Sequence, residues 1–416
     1  MRLSEKTLIK KRKDYPIKVV QFGEGRFLRS FIELQIEEMN ENGLFNGSVA
    51  VVQPLKTGRI DALKEQDNLY TVKVAGIKEG IATNAEKVIT VIKEVVNPYE
   101  AYQSFLNLAS LSTLEVITSN TTEAGITWMD EKEVNFLEEC PKSFPAKLTA
   151  FLYKRYLAEL SGLLILPCEL IEKNGEQLKK YIIRHAKNWN LGDSFIEWLI
   201  SENIFVSTLV DRIVSAPLET DFAYTDSEAT QTEPFMFFAI EAKQAEEEKV
   251  RSIWPAEKIG LNVIVVQDLA PYRERKVRLL NGAHTAMAMV GLLKNIKEVA
   301  EFTSSEFGKA YIERLYDEMI PLIDLPEAEV RLYASEVIER YLNPYLHHQL
   351  KDIALNSVSK FKTRLLPSLL DYRKKFGQEP LAINEALQAL EDYYALHQDE
   401  AIFSADEPIE SVLERL

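Results

Sequence analysis

The stretch "IKVVQF" (17–22) runs straight into Gly23 and Gly25, and then into "FLRSFIELQIEEMN", whose apolar residues recur at helical spacing. A continuous apolar strand, a glycine turn and a helix in immediate succession constrain the fold more than any other feature of the chain. In that order they bring backbone N–H groups and a helix N-terminus up to a pyrophosphate. Glycine lets the ligand approach because it has no Cβ to collide with it. The third glycine of the G-x-G-x-x-G pattern would fall at Leu28, so the motif is incomplete, and a plain strand-to-helix turn is the alternative reading.

The pattern continues downstream. "SVAVVQP" (48–54), "YTVKVAGI" (70–77), "LEVITS" (114–119) and "GLLILP" (162–167) read as further strands between helical or polar connections. Their apolar runs are continuous rather than alternating, which predicts strands covered on both faces in a parallel α/β arrangement. "FVSTLV" (205–210), "PFMFFAIEA" (234–242) and "LNVIVVQD" (261–268) extend the set, and "ETDFAYTDSEATQTE" between them reads as a polar surface loop. After Asp268 the texture changes. Five successive segments carry helical periodicity, punctuated by Pro326, Pro344 and Pro367. The fold class expected is α/β, with a dinucleotide-binding domain over residues 1–268 and a mainly α-helical domain over 269–416. A chain of 416 residues is too long for one ordinary core and suits this division.

Charge and cysteine usage exclude several function classes. A formal net charge of −15 argues against attraction to nucleic acid or to an anionic membrane surface as a driving force, and an anionic substrate would need a local basic pocket. The basic N-terminus "MRLSEKTLIKKRKDYP" lacks the apolar centre of a signal peptide, and no apolar run is long enough to span a bilayer, so cytoplasm is the expected compartment. Cys140 and Cys168 are the only cysteines and form no CxxC pair. Neither a disulfide scaffold nor a Cys-rich zinc site follows, and no metal is expected. The adjacent His347 and His348 would point in different directions on a helix or a strand.

In "RKVRLLNGAHTAMAMVGLL" (275–293) three polar residues, Lys276, Asn281 and His284, interrupt what otherwise reads as a buried helix. On an ideal α-helix Asn281 and His284 lie about 140° and about 80° from Lys276, so the three share one broad face. A lysine suits proton transfer, and an amide with an imidazole can hydrogen-bond a carbonyl oxygen as charge develops on it. The same residues also fit a bland reading, with Lys276 in a basic first turn, a kink at Asn281-Gly282, and His284 as a satisfied core histidine. The second strand ends "VVQPLKTGR", with Lys56 and Arg59 where an acid would bond the ribose 2′-OH of NAD; alone, this favours NADP.

"KVRLLNGAH", with Lys276, Asn281 and His284, resembles the signature of the polyol-specific, metal-independent long-chain dehydrogenases, the mannitol dehydrogenase family. "QFGEGRFLRSF", "SNTTEAGI", "LPCELI", "STLVDRIV", "NPYLHHQL" and "SVSKFKTRLLP" carry the resemblance from about Val19 to about Leu370 and look closest to the branch acting on hexuronates. It implies an N-terminal Rossmann-like domain, a helical C-terminal domain, a cleft where a nicotinamide cofactor meets a sugar acid, and reversible reduction of D-tagaturonate to D-altronate. Sister activities on fructuronate or on a hexitol such as mannitol, and a non-catalytic dinucleotide sensor, are the alternatives. By the resemblance Lys276 is the acid/base, and Asn281 and His284 orient and polarise the C–O group. Gly23, Gly25, Arg26 and Phe27 match the cofactor turn, and Asn120, Thr122 and Glu123 a loop near the nicotinamide. The branch favours NAD over NADP.

The chain departs from the polyol pattern at "PCEL", where Leu170 stands in place of an asparagine that would bond the reacting oxygen. Either Asn174 substitutes or Asn281 and His284 act alone. In "APYRERK" the acid before the lysine is also displaced. For a uronate carboxylate, "SKFKTR" offers Lys360 and Arg364 as an i, i+4 pair on one helix face, with His348 a further candidate; a solvated helix end is the competing reading. Asp211 and Arg212 at a strand end suit a salt bridge as well as a site role.

Overall fold

The computed structural model describes residues 1–122, 124–132, 134–217, 222–397 and 406–415. The chain divides into two units, one of residues 1–74 and 84–269, the other of 75–83 and 270–416. The second unit thus includes a short segment from within the stretch read as nucleotide-binding.

The first unit is built on six strands, β1 (Ile17–Phe22), β2 (Ser48–Val52), β3 (Ile92–Val96), β4 (Val116–Ser119), β5 (Leu164–Pro167) and β6 (Ile204–Phe205). They lie in the order β3-β2-β1-β4-β5-β6, with every neighbouring pair parallel. This is the doubly wound order of dinucleotide-binding sheets, whose direction of winding reverses between β1 and β4. The continuous apolar runs have the reason anticipated from the sequence. Val19, Val51, Val116 and Leu166 pack into the core on one face with Phe31 and Met39, while Val20, Val52, Ile117 and Ile165 pack on the other with Phe105 and Phe151. Each such side chain, fully buried, contributes about 1.5–3 kcal/mol, which fixes the register of the strand ends that carry the site.

Two later segments depart from the sequence expectation. Ser207–Asp211, Phe237–Glu241 and Val263–Val266 form a separate sheet, in which the middle strand runs antiparallel to the first and parallel to the last. The polar stretch read as a surface loop contains a buried strand, Thr230–Thr232, paired in parallel with residues 72–74. Its polarity misleads because the polar groups find partners inside: Thr230 Oγ1 is 2.5 Å from Ser30 Oγ, and the Glu228 carboxylate is 3.2 Å from the Arg29 guanidinium. Residues 219–221 of that stretch lie outside the described residues.

The second unit is helical, as its periodicity predicts. Ala270–Arg275, Lys276–Gly282 and Ala283–Leu293 follow one another without a break, and the last is buried along most of its length. Leu350–Ile353, Leu381–Leu396 and Glu306–Met319 pack around it. A helix apolar on every side is one that neighbours cover on every side.

Candidate active site

The first unit brings its candidate cofactor residues to the carboxyl ends of β1 and β4. Gly23 has φ +122°, and a Cβ there would stand 3.3 Å from the Asn120 carbonyl oxygen and 3.2 Å from Leu28 Cδ1. Glycine is therefore needed to let the β4 loop lie against the turn. Leu28, in the place of the third glycine, is buried and packs under Gly23. A Cβ on Gly25 would meet nothing within 4 Å, so the outer face of the turn is open. Gly25 and Arg26 are exposed at the start of the helix, and Phe27 stacks on Phe31 with ring centroids 5.0 Å apart. An open backbone turn at a helix N-terminus fits a dinucleotide pyrophosphate.

The loop after β4 is latched to the end of β5. Asn120 donates its side-chain N–H to the Cys168 carbonyl at 2.7 Å, and the buried Glu169 carboxylate accepts from Thr121 N–H and Oγ1–H, both at 2.9 Å, and from Ser119 Oγ–H at 3.0 Å. Burial pushes the Glu169 carboxyl above its ordinary range against those bonds. Thr122 is exposed, with φ +74°, and Glu123 lies outside the described residues. Leu170 is 61% exposed and offers no side-chain donor. Asn174 does not replace it. Its amide is wholly buried, donates to the Pro167, Glu169 and Thr208 carbonyls at 3.0–3.3 Å, and accepts from Thr208 N–H at 2.9 Å. Arg212 donates to the Glu233 and Ser30 carbonyls, so its bonds tie the first unit together.

In the second unit the decisive feature is the winding of one helix. Lys276–Gly282 is a π-helix, not the α-helix assumed from the sequence. Its i→i+5 bonding sets residues five apart roughly one above the other, so Asn281 stands over Lys276 instead of well round the helix from it. Two tyrosines hold this winding. Tyr341 donates its hydroxyl to the Leu280 carbonyl at 2.7 Å, and Tyr316 donates to the Leu279 carbonyl at 3.0 Å. Burial raises the pKa of both phenols, so both remain donors. Gly282 closes the segment, where a Cβ would stand 3.3 Å from the Val277 carbonyl oxygen and 3.4 Å from that of Arg364.

The flanking arginines are structural. Arg275 is buried between the Tyr333 and Tyr272 rings and pairs with Glu329 at 2.7 Å, while Arg278 reaches Asp371 at 2.6 Å and Ser368 at 3.0 Å. Lys276, between them, is half-buried, as is Asn281. A basic, solvated first turn therefore does not describe Lys276.

His284 is 8% exposed, with its ring 4.5 Å from that of Tyr341 and 4.9 Å from that of His348. Burial lowers the His348 pKa, opposed by Asp352 and assisted by Lys360, so its imidazole tends to neutrality. His347 turns the other way, exposed, with Nδ1 3.6 Å from the Glu298 carboxylate. The helix Ser357–Arg364 lies against the π-segment. Arg364 donates to Thr285 Oγ1 at 3.3 Å, and Thr285 donates to the Asn281 carbonyl at 3.0 Å. Lys360, on the same helix face, donates to the Ile353 carbonyl at 2.8 Å, and burial lowers the pKa of both cations. Lys362, between them in sequence, pairs with Glu407 instead.

In the second unit the structure thus links Arg364 through Thr285 to the Asn281 backbone and sets His284 against His348, and in the first it sets the glycine turn against the Asn120 loop. Tyr341, Tyr316 and Thr285 escape sequence reasoning, because each acts through a carbonyl oxygen or hydroxyl of a residue whose partner the chain order does not reveal. A cavity of about 890 Å³ in the first unit, lined in part by residues 7–15, contains none of these residues. Among the described residues no three His, Cys, Asp or Glu side chains converge as a metal site, and no helix is long and apolar enough to cross a membrane.

A doubly wound sheet with an open glycine turn, joined in one chain to a helical unit carrying a lysine, an amide and an imidazole, defines a nicotinamide-dinucleotide-dependent oxidoreductase acting on CH–OH groups. The chain belongs to the mannitol dehydrogenase family: residues 17–252 match its Rossmann domain and 268–403 its C-terminal domain. It is 42% identical to an altronate oxidoreductase of Halalkalibacterium halodurans over 92% of this chain and 76% of that one, and 42% identical to that of Bacillus subtilis over 93% and 81%. Among solved structures it shares its fold with Pseudomonas fluorescens mannitol 2-dehydrogenase in complex with NAD and D-mannitol, at a TM-score of 0.71, 21% identity and coverage of 94% and 84%. A substrate-free D-sorbitol dehydrogenase matches at a TM-score of 0.78, 19% identity and coverage of 94% and 85%.

Proposed function

We propose that this chain reduces the ketone of D-tagaturonate to the alcohol of D-altronate, reversibly and with NADH. The observation that carries the reading is the docking of the basic helix on the π-segment through Arg364, Thr285 and Asn281. It supports a substrate with a carboxylate at one end and a reacting carbonyl at the other. The relatives named altronate oxidoreductase, at about 40% identity over most of the chain, support the same substrate class.

When bound, the dihydronicotinamide supplies the hydride that reduces the keto carbon. This chain's residues do the rest. Lys276 donates a proton from its ammonium group to the carbonyl oxygen as the C–H bond forms, and recovers one from solvent afterwards; in alcohol oxidation it accepts that proton as the base. Asn281 and His284 hydrogen-bond the oxygen while negative charge builds on it, and with Leu170 and Asn174 out of the account they do so unaided by a second amide. Arg364 and Lys360, with His348 nearby, hold the carboxylate; a charge-assisted bidentate contact orients the chain of the sugar as well as binding it.

The basic pair reads a carboxylate and does not separate one hexuronate epimer from another, so a sister activity on fructuronate stands as the second reading. Following NADH absorbance with tagaturonate, fructuronate and fructose in parallel tests both. The expected order is tagaturonate first, fructuronate second and fructose last. Equal turnover of fructose and the uronates would remove the sugar-acid assignment.

A further inference from the structure

We propose that Glu24, inside the glycine turn, supplies the carboxylate that discriminates NAD from NADP, and that Glu228 holds the Arg59 guanidinium to the protein, so the site accepts a free adenosine ribose 2′-hydroxyl and rejects a 2′-phosphate. This rests on the reading of the turn as a dinucleotide site.

The acid that usually makes this choice stands at the end of the second strand. Here that position is occupied by Gln53, which is 3% exposed and folds its amide back onto the Leu55 and Lys56 carbonyls at 2.9 and 3.3 Å. It faces the protein, not a ligand. The loop that follows carries Lys56 and Arg59, which by composition alone suit a phosphate. The structure assigns Arg59 differently. Its Nη2 lies 2.8 Å from Glu228 Oε1, and Glu228 arrives from far along the chain with its side chain wholly buried. The same carboxylate is 3.2 Å from the buried Arg29, whose Nε donates to the Glu24 carbonyl at 3.1 Å and so fixes the turn.

Glu24 then bridges two elements. Its backbone belongs to the first strand-to-helix turn, while its Oε1 accepts from the Arg59 backbone N–H at 3.4 Å, and a Cβ on Gly58 would collide with it. The turn that cradles the pyrophosphate and the loop after the second strand are the two elements that flank the adenosine ribose in doubly wound folds. A carboxylate between them accepts a hydrogen bond from a 2′-hydroxyl. A phosphate at the same position brings a charge near −2 against it. Lys56, exposed on the same loop, is the cation best placed to oppose this discrimination.

Equilibrium binding of NADH and NADPH to the full chain, read by nucleotide fluorescence without any sugar, tests the assignment. The native protein should bind NADH about a hundredfold tighter than NADPH. Glu24→Gln should narrow that ratio by about tenfold or more, the scale of one charge-assisted hydrogen bond, whereas Glu24→Asp should preserve the preference for NADH. Arg59→Ala should leave NADPH binding within about twofold of native, because Glu228 holds the Arg59 guanidinium away from the ligand. The proposal is overturned if the native protein binds both nucleotides equally, if Glu24→Gln folds normally and leaves the ratio unmoved, or if Arg59→Ala costs NADPH about tenfold. Failure of both nucleotides to bind would instead overturn the dinucleotide reading of the turn and this proposal with it.

Discussion

The ring of Tyr341 lies 4.5 Å from that of His284, and the hydroxyl of the same tyrosine donates at 2.7 Å to the Leu280 carbonyl inside the π-segment. One side chain thus sets both the imidazole and the helical winding that brings Asn281 over Lys276. Tyr341→Phe keeps the ring contact and removes the donor. It should cost about 0.5–1.5 kcal/mol of stability, the net worth of one hydrogen bond, because the Leu280 carbonyl keeps the Ala283 N–H, and lower kcat while nucleotide affinity holds. Denaturant unfolding and initial rates read the two effects separately; an unchanged kcat would detach the winding from the chemistry.

Asn174 and Asn281 should separate cleanly. Asn174→Ala removes several buried hydrogen bonds to backbone and should lose at least about 2 kcal/mol of stability. Asn281→Ala, at a half-buried position, should unfold near the native midpoint and lose about two to three orders of magnitude in kcat, as removal of one oxyanion donor does. The reverse pattern would return Asn174 to the site.

Arg364 and Lys360 should act on the carboxylate end of the substrate. Arg364→Ala should raise KM for the uronate by about tenfold or more, leaving KM for the nucleotide unchanged. Burial lowers the Lys360 pKa, assisted by the nearby Arg364 charge. Lys360 therefore gives up its proton at a lower pH than an ordinary lysine, and KM for the uronate should begin to rise at that lower pH. Lys360→Met should abolish this alkaline limb in a KM-against-pH profile.

Acid should weaken the first unit through His185. The imidazole is wholly buried against Trp128 and Trp189, with ring centroids 4.4 and 5.3 Å away, and burial lowers its pKa from about 6.5 to about 4. The unfolded chain binds the proton first, so the stability this neutral ring contributes is complete above about pH 6.5 and is lost as pH falls through about 4. Urea unfolding across that window should show the slope, and His185→Phe, which retains an aromatic ring between the tryptophans, should flatten it.

The sheet and the change to helices after Asp268 could be read from the sequence because they rest on local hydrophobic period, which burial on two faces enforces. The π-winding could not. It depends on Tyr316 and Tyr341, hydroxyl donors from remote helices, and nothing in "KVRLLNG" itself demands it. Nor does composition reveal that Arg59 pairs with Glu228, which comes from a stretch whose polarity suggests a surface loop. Asn174 stands close to Leu170 in sequence, yet its bonds to the Pro167, Glu169 and Thr208 carbonyls fasten the end of β5 to a neighbouring strand.

The central claim is that Lys276 exchanges the proton of a sugar-acid reduction. Lys276→Ala, assayed for NADH binding and for single-turnover reduction of D-tagaturonate on one preparation, tests it most directly. Nucleotide affinity within about twofold of native, with the chemical step slowed by about two to four orders of magnitude, is the result expected for loss of a general acid. Reduction at the native rate would contradict it.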